Sequence, residues 1–139
     1  MKRLFVSIVI LSIGAGTVFA HHGRGATYDT KRQVALKGTV SQLLWHNPHI
    51  AIFLDVKDAE GKVTTWVIEH SNISQLARLG YGRNTLPLGT EVTAYVNPGN
   101  KGGPIGLCQK IILPGGKEIF QRDELPANLK RGAAGLVVD

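Results

Sequence analysis

Apolar residues recur at every second position through Val34, Leu36, Gly38 and Val40, set against Ala35, Lys37, Thr39 and Ser41. The same period of two returns at Ile50, Ile52, Leu54 and Val56. Such a repeat gives an extended strand one face for a core and one for water, and no helix satisfies it. The chain is therefore committed to sheet early.

Turn chemistry cuts that sheet into short pieces. Asp58-Ala59-Glu60-Gly61 predicts a hairpin turn, and Val63 to Glu69 is the return strand, rich in β-branched and aromatic residues. Ser71-Asn72 offers an N-cap, Ile73, Leu76 and Leu79 follow at helical spacing, and Gly80 is a stop, which predicts one short helix. Leu86-Pro87-Leu88-Gly89 reads as a turn, Glu91 to Val96 as a fourth strand, Asn97 to Gly103 as a flexible loop and Gly106 to Leu113 as a fifth strand. After Pro114-Gly115-Gly116-Lys117, Glu118 to Phe120 is a short extended piece. Three strands, a helix and two strands is the order of the OB type, a mostly β, five-stranded barrel with one helix between strands 3 and 4. A five-stranded sandwich would give the same string.

The segment before the first strand has a different character. Met1-Lys2-Arg3 is positive, Leu4 to Ile13 is apolar, and Val18-Phe19-Ala20 ends in residues acceptable to a signal peptidase. This predicts a leader cleaved after Ala20 and a periplasmic or secreted mature protein. The apolar run is short for a membrane span, so no stable insertion is expected once the leader is removed. The expected organisation is a signal peptide over 1–20, an extended arm over 21–33, the barrel over 34–120 and a loosely ordered tail over 121–139. Without Lys2 and Arg3 the rest of the chain carries about +4 of the formal +6, dispersed along the sequence. Dispersed charge and export together argue against a nucleic-acid partner. Cys108 is the single cysteine, so it makes no internal disulfide, and its strand-like setting predicts a buried thiol.

All five histidines follow the leader: His21, His22, His46, His49 and His70. If Asp58 to Gly61 closes the hairpin with Val56 facing Val63, then His49 faces His70 and Ile50 faces Glu69. Directly opposed residues have Cβ atoms about 4.5–5.5 Å apart, which suits two imidazoles on one ion. Pro48 stiffens the turn carrying His46 at the same sheet end. The arm, about 40 Å long if fully extended from Val34, can bring His21 and His22 there. Cleavage after Ala20 adds a free α-amine to the His21 imidazole, a pair of nitrogen donors on one residue. The expected metal set is His21, His22, His49, His70 and Glu69, for copper(II), or for zinc(II) in a tetrahedral arrangement. A structural role competes with this, since turn histidines also bond backbone carbonyls or stack on aromatics.

Hydrolytic and nucleotide-binding motifs are missing: there is no Ser-His-Asp pattern and no glycine cradle opening a helix. A binding role without catalysis is expected. The rival to metal binding is a module using a barrel face near Trp45, Phe53 and Trp66 for a small ligand, a glycan or an envelope protein.

Several short motifs occur together: His21-His22, Leu36-Lys37-Gly38-Thr39-Val40, Trp45-His46-Asn47-Pro48-His49, Asp58-Ala59-Glu60-Gly61-Lys62, Trp66-Val67-Ile68-Glu69 and Leu76-Ala77-Arg78-Leu79-Gly80. This combination resembles a family of small exported bacterial proteins known only as a domain of unknown function, over about residues 20 to 120. The resemblance implies periplasmic or secreted placement and a small β-rich fold, and it brings no activity. Family members typically read His-His-Ser where this chain has His21-His22-Gly23, and Ser-Pro-Asn where it has Ser71-Asn72-Ile73. His46 and His70 fall outside the family pattern, which leaves His21, His22 and His49 as its general histidines.

Overall fold

The computed structural model describes residues 24–122, 129–132 and 135–138. The signal-peptide assignment and His21 and His22 lie outside these residues.

The alternating segments form the expected strands. They are β1 (Val34–Leu44), β2 (Ala51–Lys57), β3 (Val63–Glu69), β4 (Glu91–Pro98) and β5 (Ile105–Ile112), with β6 (Glu118–Ile119) appended. Helix α1 (Ile73–Arg78) stands between β3 and β4. Asn72 caps it by accepting a hydrogen bond from the Gln75 N–H at 2.9 Å, and Gly80 leaves it at φ 80°. Leu76 anchors it to the core.

The sheet runs β3-β2-β1-β4-β5-β6 and closes on itself through a parallel pairing of β3 with β5, Val67 to Ile105 through Glu69 to Leu107. The closed part is the five-stranded barrel β1-β2-β3-β5-β4, with one short helix, in the OB arrangement. Inward residues of each strand fill it: Val40, Ile52, Leu54, Ile68, Val92, Ala94, Val96, Cys108 and Ile111 are all buried.

β1 achieves closure by serving two neighbours in succession. Val34 to Thr39 pair with β4, and Thr39 to Leu44 pair with β2. Gly38 sits at the handover, where a Cβ would stand 2.5 Å from the Asp55 carbonyl oxygen and 3.0 Å from Leu54 Cγ. The missing side chain is what lets the two strands approach there. Just beyond it the β1–β2 register shifts at Ser41, a bulge that bends β1 further.

Three findings correct or extend the expectations. The hairpin register is one residue off: Lys57, not Val56, faces Val63, and Ala51 faces Glu69. The loop is longer than the four residues assumed, because Asp58 Oδ1 accepts from the N–H groups of Glu60 (3.1 Å) and Lys62 (2.8 Å) while the Asp58 N–H reaches the Lys62 carbonyl. Second, the described part of the arm is docked. Arg24–Ala26 make a 3₁₀ turn, Tyr28 is buried and bridged to Gly99, and the Asp29 and Asn100 N–H groups bond to Pro98 and Thr27 carbonyls at 2.9 Å. Third, the piece after β5 is a plug. Ile119 and Phe120 are buried in the core, and the Arg122 N–H and Nε bond to the carbonyls of Gln109 and Cys108. Where the sequence suggests only a tail, β7 (Leu129–Gly132) pairs with β8 (Gly135–Val138).

Candidate functional site

The β1–β2 loop carries two of the candidate histidines and is braced at both flanks. Trp45 packs against the core on one side and Ile50 is fully buried on the other. Asn47 Oδ1 accepts from the Ile73 N–H at 3.4 Å, tying the loop to the start of α1, and the Asn47–Pro48 peptide is cis. His46 and His49 are both exposed. The His46 Nδ1 donates to the Asn47 carbonyl at 3.0 Å, which points its Nε2 lone pair elsewhere. His49 makes no hydrogen bond among the described residues.

His70 does not join them. It is 2% exposed, its Nδ1 accepts from the Ser71 N–H at 2.6 Å, and its Nε2 lies 2.8 Å from the Phe120 carbonyl. The first bond fixes the tautomer, so Nε2 carries the proton and donates. Both ring nitrogens are thus engaged with backbone. The one-residue register difference is the cause: a slip of one reverses the face of every side chain. His70 follows the buried Ile68 inward, Glu69 falls on the outer face, and His49 precedes the buried Ile50. The expected facing of His49 and His70 is therefore absent, and among the described residues no three His, Cys, Asp or Glu side chains gather as a metal site.

The arm's docking also shortens its reach. Its anchor is Thr27–Asp29 rather than Val34, which leaves only residues 21–23 ahead of the described chain at Arg24, roughly 10 Å when extended.

The three aromatics do not form one ligand face. Trp66 pairs with Leu54 on the inward side, and both Trp45 and Trp66 pack against the core. Phe53, paired with Val67 and Gln42, lies on the outer side of the same ladder. Cys108 is buried as expected, and burial pushes its thiol up from 9.0 to about 12, against a smaller opposing pull from Arg122.

Two surface hollows mark the places where β1 parts from a neighbour, and no sequence motif foreshadows either. Where it leaves β2, a polar hollow of about 500 Å³ is lined by Lys37, Thr39, Asp55, Lys57, Val63 and Glu91. Asp55 Oδ1 is held there by the Thr65 hydroxyl at 2.6 Å and the Ser41 hydroxyl at 3.2 Å, and Lys37 pairs with Glu91 at 3.0 Å. Where β1 leaves β4, a second hollow of about 430 Å³ is lined by Leu43, Arg83, Asn84, Leu86, Pro87 and Leu88. No helix among the described residues is long and apolar enough to cross a membrane.

A profile described as "Family of unknown function (DUF6152)" matches residues 9–109. No curated protein matches the chain. A solved structure of the mitochondrial single-stranded DNA binding protein Rim1 from S. cerevisiae is similar at 14% identity and a TM-score of 0.47, covering 60% of this chain and 93% of that one. That neighbour, itself a single-stranded DNA binding protein, stands against the exclusion of nucleic acid drawn above from dispersed charge and export, which is not kept. At this distance the likeness says nothing of what this chain itself binds.

Proposed function

The chain belongs to that family, and we propose that it is an exported, non-catalytic β-barrel that binds a transition metal, copper(II) before zinc(II). The ligands are the His21 amine and imidazole, His22, and the exposed loop imidazole of His49. The observation that carries this reading is the contrast between His49 and His70. His49 stands in solvent on a braced loop with no hydrogen bond among the described residues, whereas both His70 nitrogens are bonded to backbone. His46, with Nδ1 donating to its neighbour's carbonyl, offers Nε2 as a further donor on the same loop. His70 leaves the ligand set for this reason, and Glu69 serves at most as an outer-face neighbour.

Nitrogen-only donors favour copper(II), which also heads the affinity order of divalent ions. Binding must release protons from the amine and rings, so affinity falls with falling pH. The test is a copper(II) and zinc(II) titration of protein beginning at His21, beside a Met-extended form and His49→Ala. Tight 1:1 binding lost on blocking the terminus and weakened by His49→Ala supports the site. Binding no tighter than that of an unstructured histidine peptide refutes it.

A further inference from the structure

We propose that the groove where β1 parts from β4 is a docking site for an extended acidic peptide segment, added as a strand along the free edge of β1. The argument starts from backbone. β1 keeps β4 as a neighbour only from Val34 to Thr39, and the last bonds on that side join Val40 to Thr90 and Gly89. From Gln42 to Leu44 it is paired with β2 alone. An edge of this kind presents unpaired N–H and C=O groups to any strand that can lie beside it. Proteins usually cover such an edge or blunt it with charge, and among the described residues neither is done at Leu43.

The walls of the groove say what kind of strand. Leu43 and Leu86 supply an apolar floor, and Pro87 and Leu88 form the far lip. Leu88 is 63% exposed, one of two large apolar side chains so exposed among the described residues. The other, Val63, lies in the polar hollow between lysines and carboxylates. An alternating strand laid here would turn its apolar side chains onto Leu43, Leu86 and Leu88. Main-chain bonds give such a complex its affinity and side-chain pockets its selectivity.

Charge sets the remaining preference. Arg83 lies on the rim, exposed, and takes part in neither of the two ion pairs formed among the described residues. No acidic side chain among the described residues lines the groove. The occupant is therefore a segment that alternates apolar residues with Asp or Glu, so that a carboxylate comes to Arg83.

The experiment uses the whole mature protein, labelled for amide NMR, with two blocked synthetic peptides. One is Ac-Val-Glu-Val-Asp-Val-NH₂ and the other Ac-Val-Lys-Val-Lys-Val-NH₂. Shifts confined to Leu43, Arg83 and Leu88 with the acidic peptide, and slowed exchange of the Leu43 amide, are expected. Arg83→Glu should weaken the acidic peptide about fivefold or more and improve the basic one, the direction an exposed ion pair dictates. Leu88→Asp should abolish both effects, with an unchanged spectrum elsewhere showing that the barrel is intact. Equal binding of the two peptides, shifts on another face, or no shifts at millimolar peptide would overturn the proposal. Concentration-dependent broadening at Leu43 without peptide would instead assign this edge to a second copy of the chain and overturn it as well.

Discussion

His70 Nε2 donates to the carbonyl oxygen of Phe120 at 2.8 Å, joining the end of β3 to a residue 50 positions away. The Phe120 ring lies 5.7 Å from that imidazole and meets Tyr81 edge-on at 4.8 Å. Phe120 holds φ 53°, a left-handed conformation that costs a non-glycine residue roughly 1–2 kcal/mol. Full burial of its side chain offsets that cost. The histidine is a structural clamp on the C-terminal plug.

Replacing it separates the clamp from any metal site. His70→Ala removes the partners of the buried Phe120 carbonyl and the Ser71 N–H, each worth roughly 1–3 kcal/mol when left unsatisfied. We expect a loss of about 3 kcal/mol in urea unfolding, while copper(II) affinity of the remaining folded protein is unchanged. Loss of metal affinity without loss of stability would return His70 to the ligand set.

The strands and the helix were legible because each shows its own local pattern: alternation in β1 and β2, and Asn72, Leu76 and Gly80 in order for α1. Register was not, because it depends on the hairpin, where Asp58 recruits two backbone N–H groups through its side chain. Yet parity within the strands held a warning. If Ile50 and Ile68 point inward, His49 points out and His70 in, so the two cannot face each other. The plug was hidden for another reason: Ile119-Phe120 is too short to display a period, and its role depends on His70 and Tyr81, remote in sequence. The grooves beside β1 follow from where its neighbours change, a property of topology that no short run of residues spells out.

The Cys108 thiol gives a pH signature. Its pKa rises from 9.0 to about 12 because burial disfavours the thiolate, so between those values the folded chain keeps a proton that the unfolded chain has lost. Stability must then fall as pH rises through that window, and the thiol contributes nothing to pH dependence below it. Denaturation at pH 8 and pH 10.5 should show a steeper alkaline loss in the parent than in Cys108→Ala. A disulfide-exchange reagent at pH 8 should label the thiol only as fast as the protein unfolds, and rapid labelling under native conditions would contradict the burial argument.

Asn72 tests the helix that braces the histidine loop. Its side chain is the acceptor for the Gln75 N–H, and removing such a cap typically costs about 1 kcal/mol. Asn72→Ala should lower stability by that amount, and Asn72→Ser should restore most of it. Amide exchange at Ile73 to Leu76 should accelerate in the alanine variant before the barrel strands respond.

Gly38 and Gly61 separate two reasons for a glycine. At Gly38 an added Cβ would meet the backbone of Asp55, which cannot rotate away, so every larger residue must push β1 from β2. Overpacking of this kind costs roughly 1–3 kcal/mol. At Gly61 nothing lies within 4 Å, but φ is 84° in the hairpin. Its penalty is conformational, and asparagine tolerates that region better than alanine. Gly38→Ala and Gly38→Asn should therefore both be damaging, and they should perturb amide shifts across the β1–β2 ladder. Gly61→Ala should be mildly destabilising and Gly61→Asn close to neutral. A Gly38→Ala variant as stable as the parent would mean that β1 crosses between its two partners without the close approach on which the barrel's closure rests.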